Sequence, residues 1–339
     1  MTALRIAVAG VGLIGRRHVE LVQGHPSCVL SGVVDPASTV GEFARRAEIP
    51  YYHALEDLLA GDPPDAVILA TPNHLHVEQA IGCIQAGVAV LIEKPVAHTL
   101  AAGERLCEAV EDTGATVLVG HHRRHSPILR RAHEIIEQGV LGRVVAVQGS
   151  AMFHKPDEYF REAPWRTKPG GGPILINMVH EIDNLRVLCG EIADVQAFAS
   201  NALRGSAVED TVVINLRFAG GALGSFLLSD TAASPKSWEQ TSGENPMYAS
   251  YPDEECYVVV GTDGSLAIPT MRLRTYGEGT PSWKTPFRDT VAEVDRTDPL
   301  IRQLDHFCAI IRGEAEPLVT VRDALESLRV VEEIARVAC

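Results

Sequence analysis

The sequence predicts a two-part α/β protein: an N-terminal doubly wound parallel sheet, then an α+β region with a large, open, mostly antiparallel sheet. Three observations predict it. Over residues 1–120, short apolar runs without polar alternation recur between amphipathic segments, the pattern of parallel strands covered by helices on both faces. The first of these runs ends in a turn carrying Gly10, Gly12 and Gly15. After Gly120 the pattern switches to alternating runs joined by glycine-containing turns, which indicates antiparallel hairpins. At 339 residues the chain exceeds one compact core. Two domains are expected, 1–120 and 121–339, with the final helices free to pack back on the first.

In the first domain the strands read 4–10, 29–35, 65–71, 88–94 and 116–120, and helices are expected over 13–23, 76–86 and 101–113. The second domain opens with a helix over 126–139 and a strand over 143–153, followed by an irregular stretch, 154–172. A deeply buried helix begins near Pro173, and a strand follows over 194–201. Two strand pairs come next: 210–218 turning into 222–230, and 255–261 turning at Thr262-Asp263-Gly264 into 265–276. Between the pairs, the polar loop 237–255 carries Trp238 and Tyr248 and is expected to overlie a cleft or a subunit interface. Helices over 299–313 and 317–338 close the chain.

Composition narrows the partners. The formal net charge is −14, from 44 acidic and 30 basic residues, so phosphate backbones and anionic lipid are repelled. No apolar run approaches the ~20 residues that span a bilayer. Structure begins at Leu4 and leaves no room for a secretory signal, and Arg16-Arg17 follows the glycine turn rather than preceding an apolar export segment. Seven cysteines are scattered without any CxxC, which indicates neither a zinc knuckle nor a redox dithiol and fits a reducing, cytoplasmic setting.

Gly10-x-Gly12-x-x-Gly15 directly follows a strand and opens a helix, the context a dinucleotide-binding turn requires. The first glycine makes the tight turn and the second lets a pyrophosphate approach. The third lets helix and strand pack, and the helix N-terminus offers donors to the phosphates. Asp35 ends the second strand, where a carboxylate accepts hydrogen bonds from adenosine ribose hydroxyls and repels a 2′-phosphate. Asp35-Pro36 reads equally as a helix cap with proline at the first helical position. No Arg or Lys follows at once, so NAD is expected over NADP. Thr71, Pro72 and Asn73 lie just beyond a strand's carboxyl end, where ligands of such sheets bind. His74 and His76 lack a third ligand at helical spacing, so no metal is expected.

Two further stretches carry chemistry. Glu93-Lys94-Pro95 ends another parallel strand. Such a pair is commonly solvated surface, but a buried lysine facing a nicotinamide has its pKa lowered into acid–base range. Pro95 fixes the peptide that aims it, with a cis bond as one option. In GGGPILINMVHEID (170–183), His180 reads either as a satisfied core histidine or as an active-site group, and Asp183 lies three residues on, on the same face.

With GVGLIG (10–15), ATPNHLH (70–76), EKP (93–95), GHHRRHSP (120–127), WR (165–166) and GGGPILINMVHEID (170–183), the chain resembles the glucose–fructose oxidoreductase / inositol dehydrogenase (Gfo/Idh/MocA) family. The resemblance implies a Rossmann domain and a C-terminal α+β domain whose open sheet joins subunits into homodimers or homotetramers. It implies NAD or NADP as cofactor and a sugar, polyol or related hydroxyl or carbonyl substrate. It casts Lys94 as the catalytic lysine and His180 as the active-site histidine. Cofactor contacts fall on Gly10, Gly12, Leu13, Ile14, Gly15, Asp35, Thr71, Pro72, Asn73, His76, Glu93, Lys94 and Arg166. Substrate contacts fall on Asn177, Asp183, His122, Arg123 and Trp165. One position departs from the family: the aspartate four residues before the histidine is Ile176 here, with Asn177 beside it. The expected activity is hydride transfer between NAD and a secondary alcohol. Two alternatives stay open: an NAD-binding sensor without catalysis, and a redox-neutral lyase, hydrolase or epimerase with tightly held NAD.

Overall fold

The structure is a computed structural model and describes residues 2–276 and 280–338. It contains two compact units, Met1–His122 with Leu300–Leu328, and Arg123–Pro299 with Arg329–Cys339.

The first unit opens with β1 (Leu4–Ala9), α1 (Leu13–Gly24), β2 (Cys28–Val34), α2 (Ser38–Arg46), β3 (Tyr51–Tyr52) and α3 (Leu55–Gly61). It continues through β4 (Ala66–Leu69), α4 (Asn73–Gln85), β5 (Ala89–Glu93), α5 (Leu100–Thr113) and β6 (Val117–Gly120). The strands pair in parallel in the order β3-β2-β1-β4-β5-β6. Neighbouring residues of each strand face opposite sides, and both sides are apolar. Ala7, Val67 and Val90 enter one core, while Ile6, Ile68 and Leu91 enter the other. That is the burial a doubly wound sheet requires. The strand order reverses between β1 and β4, which makes the carboxyl ends of those strands the ligand-binding crevice of such a fold.

In the second unit, α6 (Pro127–Glu137) leads to β7 (Val144–Met152) and a short α7 (Asp157–Glu162). One wide π turn, Ile174–Met178, runs into α8 (Val179–Cys189). Next come β8 (Ile192–Ser200), β9 (Thr211–Phe218), β10 (Leu223–Ser229), α9 (Trp238–Thr241), β11 (Tyr257–Gly261), β12 (Gly264–Ile268), β13 (Arg272–Thr275) and β14 (Arg288–Val291). These eight strands follow the order β14-β13-β12-β11-β7-β10-β9-β8, and every pairing is antiparallel except β7 with β10. Apolar residues of α6 and α8, such as Leu129, Ile182 and Leu185, share a core with the inward face of this sheet.

The chain closes with α10 (Pro299–Ile311) and α11 (Val321–Val337). Residues 300–328 belong to the first unit, so the closing helices return to it from the second. The reason is burial: Leu304 and Phe307 sit in the core with Ile6 and Ile68, and Leu325 and Leu328 sit in the core with Val67 and Val90. Three local readings are corrected. Helices α2 and α3 and strand β3 fill stretches left unassigned. Residues 265–276 are not one strand: β12 stops before Pro269, which offers no N–H to a ladder, and the chain reverses at Met271, φ 58°, into β13. The stretch 154–172 holds α7 and a 3₁₀ turn, Pro164–Thr167. In the loop 237–255, Trp238 is buried, 3% exposed, and Tyr248 is 48% exposed.

Candidate active site

In the first unit the carboxyl ends of β1, β4 and β5 lie side by side, because those strands are parallel neighbours. The Gly10–Gly15 turn, Thr71 and Lys94 therefore share one edge. Gly10 has φ 82°, and a Cβ there would stand 2.6 Å from the Ala70 carbonyl, so only glycine fits. A Cβ on Gly15 would overlap the Gly10 carbonyl oxygen at 1.8 Å, which is the close helix-to-turn packing the motif needs. At Gly12 nothing lies within 4 Å, and α1 has no side-chain cap on its first turn. A helix N-terminus with uncapped donors and open space before it suits a pyrophosphate. The residues present fit a dinucleotide, with Leu13, Ile14 and Gly15 supplying the first-turn amides.

Asp35 accepts the Val11 N–H at 2.8 Å through Oδ2 and the Ala37 N–H at 2.9 Å through Oδ1. It shapes the turn and keeps lone pairs for a ribose hydroxyl. It does not cap α2, which begins later, at Ser38 with Ala37 as its N-cap residue. Thr71 donates from Oγ1 to Gln79 Oε1 at 2.6 Å. Pro72 and Asn73 form the N-terminus of α4, again without a side-chain cap.

His76 has a different place from the one expected. It is 1% exposed, with Nδ1 at 2.9 Å from the Pro95 carbonyl oxygen and Nε2 at 2.8 Å from that of Thr71. Burial lowers its pKa, against the pull of those two carbonyls. Buried between the carbonyls that follow β4 and β5, the neutral ring donates its one N–H to one of them and packs between the two strand tips. Glu93 is also inside: Oε1 meets His18 Nε2 at 2.8 Å and Oε2 accepts the Lys94 N–H at 3.2 Å. Burial raises its pKa, but His18, Lys94 and His122 outweigh this and hold the carboxyl at about 2. Lys94 is half-buried and precedes a cis Pro95. His18 was not singled out in the sequence; its signal was a histidine on the buried face of α1.

In the second unit, the glycines before α8 have packing reasons. A Cβ on Gly171 would lie 2.5 Å from the Arg166 carbonyl oxygen. Gly172, φ 81°, passes Glu209, whose Oε1 accepts the Ile174 N–H at 2.9 Å and caps the helix. His180 is 7% exposed in the first turn of α8. Asn177, three residues earlier, accepts a hydrogen bond at Oδ1 from Lys155 Nζ at 2.6 Å. Lys155 is 8% exposed, and its ammonium lies 5.0 Å from the Tyr159 ring centre and 5.4 Å from that of Phe153. An ammonium held this way, bonded to Asn177, is a candidate site residue that sequence reasoning missed inside an apparently irregular stretch. Ile176 is half-buried and brings no polar atom to the position of the family's aspartate.

Two expected substrate contacts, Arg123 and Asp183, lie in the interior. Arg123 is 2% exposed, donating to Glu181 Oε1 at 2.8 Å and Glu239 Oε1 at 2.6 Å, with Trp238 5.4 Å away. Glu181 also accepts from the Tyr257 hydroxyl. Burial raises the Glu181 pKa although Arg123 opposes it. This is an interior network. Asp183 is 1% exposed and receives both Nε and Nη2 of Arg124, at 2.8 and 3.0 Å. Its carboxylate anchors α8 to the chain after β6. Trp165 is 55% exposed, while Arg166 donates to the Tyr159 carbonyl at 2.6 Å and stacks 3.7 Å from the Tyr159 ring centre. His122, half-buried, lies close enough to Glu93 to lower its pKa.

The expectation for the cysteines also needs correction. Cys28 and Cys308, 280 positions apart in sequence, bring their sulfurs to 3.3 Å. His74 and His76 join no metal-like group among the described residues.

Residues 4–121 match a family described as an oxidoreductase family with an NAD-binding Rossmann fold, and residues 129–267 match a GFO/IDH/MocA C-terminal domain. The chain is 30% identical over 273 residues to 1,5-anhydro-D-fructose reductase of Ensifer adhaerens, covering 80% of this chain and 76% of that one. It is 27% identical to the NAD⁺-dependent scyllo-inositol 2-dehydrogenase of Bacillus subtilis, covering 96% and 92%. Among solved structures it is similar to the WlbA dehydrogenase of Bordetella pertussis, in complex with NADH and UDP-GlcNAcA, at 27% identity, TM-score 0.79, covering 99% and 96%. Among the described residues, no helix is long and apolar enough to cross a membrane.

Proposed function

Because the chain belongs to the Gfo/Idh/MocA family of NAD-binding oxidoreductases, we propose that it interconverts a secondary alcohol and its carbonyl on a sugar, polyol or related cyclic substrate. Its curated relatives include a 1,5-anhydro-D-fructose reductase and inositol dehydrogenases. The observation that carries the reading is the shared edge of the parallel sheet. The Gly10–Gly15 turn and Lys94 stand at carboxyl ends of neighbouring strands, so one nucleotide reaches from the turn toward the lysine.

NAD bound there supplies the hydride acceptor for alcohol oxidation and the donor for the reverse. Gly12, the α1 amides and Asp35 hold its phosphates and ribose, and the Asp35 carboxylate disfavours a 2′-phosphate. Lys94 Nζ takes the hydroxyl proton as the carbinol is oxidised and returns it in reduction. The Glu93 carboxylate, kept ionised, fixes the Lys94 backbone. In the second unit His180 and Asn177, with Lys155 behind Asn177, orient substrate hydroxyls. Ile176 makes that surface less polar, which favours a substrate with fewer hydroxyls there, such as an anhydro or deoxy sugar. The exposed face of the eight-stranded sheet supports assembly into homo-oligomers: Phe198, 81% exposed, pairs in register with Val213, 44% exposed, and Leu223 is 56% exposed.

A panel of polyols, sugars, anhydro sugars and cyclic diols, assayed with NAD⁺ and NADP⁺ separately, tests the proposal. NADH formation with at least one member, and a preference for NAD⁺, is the expected result. Solvent hydrogen exchange into a substrate without net NADH would support redox-neutral chemistry, and inertness toward the whole panel despite NAD binding would support a sensor.

A further inference from the structure

We propose that His25, Cys28 and Cys308 form a binding site for a zinc-class divalent cation in the first unit. It lies at the amino end of β2, the opposite edge of the sheet from the nucleotide turn. Cys28 Sγ lies 3.3 Å from Cys308 Sγ and 3.2 Å from His25 Nδ1, and all three donor atoms fall within 4.8 Å of one another. A tetrahedral zinc ion, with Zn–S about 2.3 Å and Zn–N about 2.0 Å, holds such ligands roughly 3.4–3.8 Å apart. The close pairs need to spread by only about half an ångström.

The histidine is already oriented for ligation. Its Nε2 meets Asp305 Oδ1 at 2.8 Å, so the N–H donates there and the Nδ1 lone pair faces the thiols. A carboxylate behind a histidine is the usual outer partner of a metal ligand. Nδ1 also accepts the Ser27 N–H at 3.2 Å, a contact the metal replaces. Asp305 and Cys308 lie three apart on α10, and His25 and Cys28 lie three apart around the α1–β2 turn. Each element thus contributes a pair. Cys28 also lines an open cavity of about 400 Å³ with Gln23, Leu30, Glu48 and Pro50, which gives an entry path at Cys28.

Binding balances simply: each thiol gives its proton to solvent and two thiolates plus neutral imidazole coordinate one M²⁺. The ion ties α10 to the start of β2 and stabilises the loaded chain by mass action.

The test uses the full chain, reduced and stripped with chelator, titrated with Co²⁺ and then Zn²⁺. The expected result is one equivalent of Co²⁺ with thiolate-to-cobalt charge-transfer absorption, bleached by Zn²⁺, and a rise in Tm with Zn²⁺. C28S and C308S each lose the absorption and the Tm response, C107S keeps both, and D305N binds about 10–100-fold more weakly. Should C308S fail to fold, C28S alone decides. Absence of the charge-transfer band, or its survival in C28S, overturns the proposal.

Discussion

Lys155 donates a hydrogen bond from its buried ammonium to Asn177 Oδ1 at 2.6 Å, so the asparagine beside Ile176 does not act alone. Arg204 Nη2 holds the Lys155 carbonyl at 2.9 Å, and Tyr159 and Phe153 flank the ammonium. The ammonium does not replace the carboxylate missing at position 176; it fixes the Asn177 side chain, the polar group one residue further along. K155M is expected to raise KM for substrate roughly 10–100-fold, the loss of one charge-assisted hydrogen bond, and to leave NADH affinity unchanged. Steady-state kinetics alongside an NADH titration reads both.

Asp183 is expected to matter for folding more than for substrate. Removing Arg124 takes the bidentate partner from its carboxylate and leaves Arg186 at 4.0 Å as the nearby cation, which costs about 1.5–3 kcal/mol. By contrast, R131A breaks an exposed pair with Glu134, worth about 0–1 kcal/mol. Urea unfolding of the two variants should show the contrast directly.

Glu93 supplies a pH dependence. Its carboxyl is held at about 2 against an ordinary value of 4.5, so the folded state binds its proton less readily than the unfolded chain. The stabilisation, about 3 kcal/mol in order of magnitude, is fully present above pH 4.5 and is lost as pH falls toward 2. The stability difference between the parent chain and E93Q should therefore be largest near neutrality and shrink through that window in acid unfolding curves.

The two glycines of the turn should separate by readout. Gly10 has φ 82° and backbone 2.6 Å from a would-be Cβ, so G10A costs roughly 1–3 kcal/mol in strain and lowers Tm. Gly12 faces open space, so G12A folds normally and weakens NADH binding tenfold or more, about 1.4 kcal/mol. Equal effects of the two substitutions on Tm would contradict this division.

The parallel sheet was legible in the sequence because its strands are short apolar runs closed by turns, as DAVILAT and VAVLIEK show. The glycine motif was legible because it sat between such a run and a helix. Helices α2 and α3 were less visible: STVGEFARR buries only Val40, Gly41 and Ala44. Proline at 269 reversed the chain where alternation alone read onward. Among site residues, the ones misread were those whose partners lie far off in sequence. Arg123 finds Glu181 and Glu239, 58 and 116 positions away, and a lone arginine carries no mark of that. His76 looked like a crevice residue from its position, yet its two carbonyl partners hold it inside. Cys28 and Cys308 meet only through the return of α10 to the first unit.

The account rests on proton transfer by Lys94 at the tip of β5. The most direct measurement is single-turnover hydride transfer by K94A with the best substrate of the panel, beside NADH affinity for the same protein. The prediction is near-normal NADH binding with turnover lowered about 100-fold or more. Parent-like turnover in K94A, with the cofactor bound, would contradict it.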